Sequence, residues 1–357
     1  EMMEINSKLL VVSDIHLGSL DCERELFLQF LNGIVNGEYG NKIQALIILG
    51  DFIDLCTDVI ETLLKREKVQ EILNTLLEIK KKFNLILVLG NHEIPVTGDY
   101  DEKFYRRKER FLKRFERTDY NEIFDKEWCS QYLVLRKWNN EDTLLLYDER
   151  KEIGANPLNQ IKIEGLDLDN DYECLMTHGY QFDSEVYRFF IGQIWKSLII
   201  NDNFGVKETY DYFWNYIIKN GRKIKPITYE MMKFELAKLK NKSYEFVDNL
   251  FAEMSNMEFN LIKANMRVMK RWHHASKPDY YFDEIVAFLE ENNYDFSKFN
   301  HLIYGHSHHS GIAYGNINNR RVEIINDGAW QHVQPSYVEI FSEGILKLKA
   351  FSIILKS

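Results

Sequence analysis

Five short apolar runs in this chain stop at residues able to bind a metal ion, and that repetition constrains the fold more than any single motif. KLLVVS runs into Asp14-Ile-His16, ALIILG into Asp51-Phe-Ile-Asp54, and LILVLG into Asn91-His92-Glu93. Further on, ECLMT runs into His178-Gly179, and HLIYG into His306-Ser-His308. Apolar runs of this length, separated by helix-period segments, read as buried parallel strands with helical crossovers. In an open parallel sheet, ligands bind beyond the carboxyl ends of the strands. Five strand ends would therefore deliver carboxylate, amide and imidazole groups to one edge.

The intervening segments fit that reading. Apolar residues recur at helical spacing from Cys22 to Val35, from Val59 to Phe83 and from Asp101 to Arg117. The βαβαβ rhythm predicts parallel strands with helices on both faces. Shorter strand-like runs follow: QYLVLRKW, TLLLYDE and NQIKIEG, and, after residue 300, RVEIIND, SYVEIF and ILKLKAF. Residues 183–299 read as helical and aromatic-rich. The expected organisation is an α/β catalytic domain, residues 1–182 and 300–357, interrupted by a helical insertion at 183–299. His178 and His306 flank that insertion and lie 128 positions apart. Both of its ends being tied to site residues, the insertion is expected to form a cap or lid.

Composition excludes several classes. A hydrophobic content of 45% and a charged content of 28% are those of a globular protein. Four cysteines, Cys22, Cys56, Cys129 and Cys174, stand far apart without CxxC spacing and read as free thiols of a reducing compartment. No apolar run is long enough to span a bilayer, and no signal-peptide pattern opens the chain, so a cytoplasmic protein without a membrane span is expected. The net charge of −10 argues against a surface coated with phosphate-binding charge. Locally, Lys103 to Arg117 carries eight Lys or Arg against two Glu. Arg106, Arg107 and Arg110 on that segment are candidates to touch substrate phosphates, because guanidinium forks match phosphate oxygens.

In this order, DxH, GDxxD, GNH, an isolated TH-G and GHxH resemble the five motifs of the calcineurin-like metallophosphoesterases. The resemblance covers the α/β portion and implies two packed sheets flanked by helices. It implies that Asp14, His16, Asp51 and His308 hold one divalent ion, and that Asp51 bridges to a second held by Asn91, His178 and His306. It further implies that His92 is the general acid and that Asp54 orients its ring. A mixed oxygen and nitrogen donor set without thiolate suits Mn first, with Fe, Zn or Co as alternatives. The implied reaction is in-line attack on phosphorus by a hydroxide bridging the metals, cleaving a phosphomonoester, phosphodiester or pyrophosphate.

The expected partner is a phosphorylated small or medium molecule. Nucleic acid is the alternative substrate, which would make the protein a metal-dependent nuclease. SDIHLGS with GDFIDL also loosely resembles the UDP-diacylglucosamine hydrolase-like branch. Its lipid A enzymes typically lack the histidine found here as His92, so their substrate is not carried over. His309 has no ligand slot in the pattern and is expected to face solvent or substrate. Glu93 reads as a supporting or helix-start residue, and Asn326 to Trp330 as a tight turn. His306 and His308, two apart on what reads as an extended segment, are expected to project the same way.

Overall fold

The computed structural model describes residues 9–93, 104–180, 286 and 297–351, apart from 20–21, 41, 55–59, 149–152, 154–155, 318 and 332–333. Three strands, β1 (Leu9–Val12), β2 (Ala45–Leu49) and β3 (Asn84–Val88), lie parallel, with Val11 opposite Ile47 and Ile47 opposite Ile86. The short β4 (Cys129–Ser130) extends the parallel set beyond β3. On the other side, β12 (Ser336–Ile340) and β13 (Leu346–Ala350) complete the sheet in antiparallel fashion, in the order β13-β12-β1-β2-β3-β4.

The second sheet is assembled from β5 (Tyr132–Trp138), β6 (Glu141–Tyr147), β7 (Asn159–Lys162), β8 (Glu173–Thr177), β9 (His301–Tyr304), β10 (Gly311–Ile317) and β11 (Arg320–Asn326). Its order is β10-β11-β9-β8-β5-β6-β7, with β8, β9 and β11 parallel. Strands from both sides of residues 183–299 thus lie side by side at β8 and β9.

Strand periodicity of two divides the first sheet into two apolar faces. Leu10, Val12, Leu46, Ile48, Leu85 and Leu87 pack against helices α1 (Arg24–Val35), α3 (Glu67–Lys82) and α4 (Phe104–Lys113). Leu9, Val11, Ala45, Ile47, Ile86 and Val88 pack against Leu133, Leu135, Leu144, Met176 and Ile303 of the second sheet. The expectation of helices on both faces of the parallel strands is therefore corrected. An apolar strand records that both faces are covered but not by what, and here a sheet covers one of them.

Two smaller differences have local causes. The helical pattern from Val59 to Phe83 is two helices, α2 (Ile60–Leu63) and α3, separated at Arg66, whose backbone is extended. α3 ends in Lys80, Lys81 and Lys82, which complement its C-terminal dipole. β10 was not expected, because GIAYGNI carries two glycines and leaves Ile312 and Tyr314 exposed on an edge strand. The predicted helical insertion at 183–299 lies almost wholly outside the described residues, as do residues 94–103. Among the described residues, no helix is long and apolar enough to cross a membrane.

Candidate dinuclear metal centre

The loops that leave the strand ends are short, buried and mutually hydrogen-bonded. Asp14 N–H donates to Gly50 O (3.1 Å), His16 N–H to Asp51 O (2.7 Å), and Asp54 N–H to Leu17 O (2.8 Å). Gly305 N–H donates to His178 O (3.0 Å), and His306 N–H to Asp14 Oδ2 (2.8 Å). Five site residues stand in the left-handed backbone region that disfavours a side chain: Asp14, His16, Asp51, His306 and His308, with φ between 49° and 67°. Each such residue costs about 1–3 kcal/mol, and such strain clusters where surrounding structure over-determines the backbone. Here the crossed loop hydrogen bonds supply that surrounding structure.

The left-handed turns also correct the geometry expected for His306 and His308. β9 ends at Tyr304, and neither histidine lies in extended chain. Their convergence comes from two left-handed residues flanking Ser307, not from strand alternation.

The side chains form two groups sharing Asp51. In the first, Asp14 Oδ1 lies 3.1 Å from His308 Nε2 and 3.6 Å from His16 Nε2. His16 Nε2 lies 3.2 Å from His308 Nε2 and 3.6 Å from Asp51 Oδ2. In the second, His178 Nε2 lies 3.2 Å from Asp51 Oδ2 and 3.1 Å from Asn91 Oδ1. One ring nitrogen of His306 lies within 4.8 Å of donor atoms of Asp51 and His178.

This donor set fits divalent ions. An ion about 2.1 Å from each donor gives donor–donor edges of ~3.0–3.4 Å, close to the spacing seen. Asp14 Oδ1 is buried without a hydrogen bond, facing imidazole nitrogens. His178 Nδ1 lies 2.8 Å from Leu49 O, so Nδ1 carries the proton and Nε2 turns toward Asp51. Gly50 permits this packing: it sits at φ +81°, and a Cβ there would come within 2.6 Å of the His178 ring.

Electrostatics follow from crowding. Burial raises the Asp14 and Asp51 carboxyls, but the histidines outweigh it, His178 foremost, and hold both far below the usual range. Burial, with His92 nearby, lowers His16 to about 4, leaving a neutral ring at pH 7. For His178 burial is outweighed by Asp51 and Asp14, which raise it to about 9.

His92 stands beside this cluster. Its Nδ1 is 2.8 Å from Asp54 Oδ1, and its Nε2 is 3.7 Å from Asp51 Oδ2. Its own N–H donates to Asp51 Oδ1 (2.9 Å). His16, Asp51 and His92 are also close enough to share an ion. His309 is half-buried and belongs to none of these groups. The side chains of Arg106, Arg107 and Arg110 lie outside the described residues, although their backbone is part of α4.

Residues beyond the donor set brace it. Glu93 is buried and accepts N–H groups from Gly90 (2.8 Å), Asp51 (3.0 Å) and Ile53 (2.7 Å), tying the β2 and β3 loops together, as a supporting residue does. Burial and the Asp51 charge push Glu93 up to about 7. Asn326 Nδ2 donates to Gly305 O and Ser307 Oγ, both at 2.8 Å, which shapes the turn between His306 and His308. The turn at Asn326 to Trp330 also anchors Trp330, whose backbone N–H donates to Asp14 O and whose ring packs on Phe27 and Phe30.

Residues 7–182 match the family model of the calcineurin-like phosphoesterases. Those residues form a calcineurin-like phosphoesterase domain, and phosphate-ester hydrolysis is the activity that such a domain carries. The family implies a dinuclear divalent metal centre, which the His and Asp groups fit. No curated protein matches. Among solved structures, similarity extends to a dimetal phosphatase from Danio rerio, at 10% identity over 98% of this chain and 100% of that one, with a TM-score of 0.34. It extends also to a phosphopantetheinyl hydrolase from Mycobacterium tuberculosis, at 13% identity over 91% and 90%, with a TM-score of 0.29. Likeness this slight carries no weight for substrate.

Proposed function

We propose that this enzyme hydrolyses a small or medium phosphorylated molecule at a two-metal site, with His92 as the proton donor to the leaving group. Asp14, His16, Asp51 and His308 would hold one ion, and Asp51, Asn91, His178 and His306 the other. When bound, the two ions supply positive charge against phosphoryl oxygens and lower the pKa of water. Manganese is the metal we favour, with iron, zinc or cobalt open, on the oxygen and nitrogen donor set.

The observation that carries this reading is the Asp54–His92–Asp51 alignment. Asp54 engages Nδ1 at 2.8 Å, so the ring cannot swing, and Nε2 is held toward the cluster. A ring so placed can give a proton to the departing oxygen, worth about 10²–10⁴-fold in rate. Residues 183–299 are proposed as a helical cap, and Arg106, Arg107 and Arg110 as phosphate contacts. A cytoplasmic location is supported by three buried free thiols, Cys22, Cys129 and Cys174.

The test is a hydrolysis panel of aryl phosphomonoester, aryl phosphodiester, sugar nucleotides and single-stranded DNA, run with each divalent metal and with His92→Ala as the blank. Turnover of a small ester that fails in the blank supports the proposal. Cleavage of DNA alone would transfer the assignment to a nuclease, and inactivity with every metal would overturn it.

A further inference from the structure

The Asn326-Asp-Gly turn holds a buried acid that the proposed chemistry leaves without a task. Asp327 is fully buried, and its Oδ1 lies 2.6 Å from Ser13 Oγ. The same Ser13 oxygen is within hydrogen-bond distance of Asp14 Oδ2 and 3.2 Å from Gly328 O. Three acceptor oxygens therefore surround one hydroxyl, which has a single proton to give. Two of them belong to carboxyl groups.

Only one arrangement of protons satisfies this cluster. If both carboxyls were ionised, one would face the serine oxygen lone pair to lone pair in a site closed to water. Asp14 Oδ2 already accepts the N–H of His306 at 2.8 Å, as an ionised oxygen does. Asp327 Oδ2, by contrast, has no hydrogen bond and no exposure. A bare oxygen is costly on a buried carboxylate and far less so on a neutral acid. Burial and the Asp14 charge also push Asp327 well above the usual carboxylate range.

We propose that Asp327 is a positioning residue: as a neutral acid it donates to Ser13, so that the Ser13 hydroxyl points at Asp14 Oδ2. With Oδ2 held by both Ser13 and His306, Oδ1 of Asp14 is the atom presented to the ion. The relay leaves no slack. A Cβ on Gly305 would fall inside contact distance of both Ser13 Oγ and Asp14 Oδ2. The Asp327 backbone is held in place, its N–H donating to Tyr304 O (3.0 Å) and its carbonyl accepting from Ser336 Oγ (2.6 Å). The inference rests on Asp14 being a metal ligand.

The test is Mn²⁺ affinity of the metal-free protein, measured by calorimetry, in five variants. Asp327→Asn keeps a neutral donor facing Ser13 and is expected to bind within about threefold of the native protein. Asp327→Ala and Ser13→Ala break the relay, and each is expected to bind ~10–100-fold more weakly, the usual loss for a group supporting a ligand. Their combination should be little worse than either alone, because both act on one hydrogen bond to Asp14.

Asp327→Asn binding as poorly as Asp327→Ala would overturn the proposal, since an anionic acceptor would then be what matters. Native affinity in Ser13→Ala would overturn it too, even if Asp327→Ala does not fold. Asp14→Ala separates the two layers: native affinity there refutes Asp14 as a ligand. Lost affinity there, with native affinity in Ser13→Ala and Asp327→Ala, refutes the relay alone.

Discussion

Replacing Asp54 with Asn is the sharpest probe of the proton donor. The carboxylate is 2% exposed and engages His92 Nδ1 at 2.8 Å. An Asn side chain can still accept from Nδ1–H, so the ring stays in place while the negative charge is lost. Hydrogen bonds involving an ionised partner contribute ~1.5–3 kcal/mol. At 1.36 kcal/mol per tenfold, the expected fall in kcat is about 10–150-fold. His92→Ala should cost ~10²–10⁴-fold.

The decisive measurement is the double variant. If Asp54 works through His92, Asp54→Asn costs nothing further once His92 is Ala. Asp54 Oδ2 also lies 3.9 Å from His16 Nδ1, which offers a competing route through a proposed metal ligand. Metal content by plasma emission spectrometry distinguishes them, because the His92 route leaves two ions bound. A loss of equal size in both backgrounds, or a loss of metal, would refute the argument.

Three further outcomes are expected. Glu93→Ala strands the buried N–H groups of Gly90, Asp51 and Ile53, each costing ~1–3 kcal/mol, so denaturant unfolding of metal-free protein should show at least ~3 kcal/mol of destabilisation; a change below about 1 kcal/mol contradicts the bracing role. With His178 raised to about 9, its proton competes with metal below that pH, whereas His16, lowered to about 4, is already neutral. Mn²⁺ affinity should therefore rise between pH 7 and 9, by up to about tenfold per unit from this group, and calorimetry showing a flat profile would contradict it. Gly50→Ala forces a side chain into left-handed backbone and onto the His178 ring, so the metal-to-protein ratio should fall from two toward one; a retained ratio of two would count against the second site.

The strands were legible because their burial is uniform: Leu9 to Val12 and Ala45 to Leu49 are wholly buried, and an unbroken apolar run announces that. Which surface covers each face was not legible, since Leu10 and Val11 are equally apolar whether a helix or a sheet lies above. β10 was hidden for the opposite reason, an edge strand whose outer face is exposed. In the candidate site, the chemistry of Asp14, His16, Asp51 and His306 was visible in residue type, but their left-handed backbone was not. That conformation is imposed by hydrogen bonds from loops that are distant in sequence. The turn at Asp327 illustrates the limit, for its acid meets Ser13 across 314 positions and nothing nearby in the chain marks it. The same physics links the two observations. A strained residue persists only when its neighbours hold it, and here Asp14 is held at its N–H by Gly50, at its carbonyl by Trp330, and at Oδ2 by His306 and Ser13. A site built this way is formed before any ion arrives. Metal affinity should then depend as much on those four holders as on the ligands themselves.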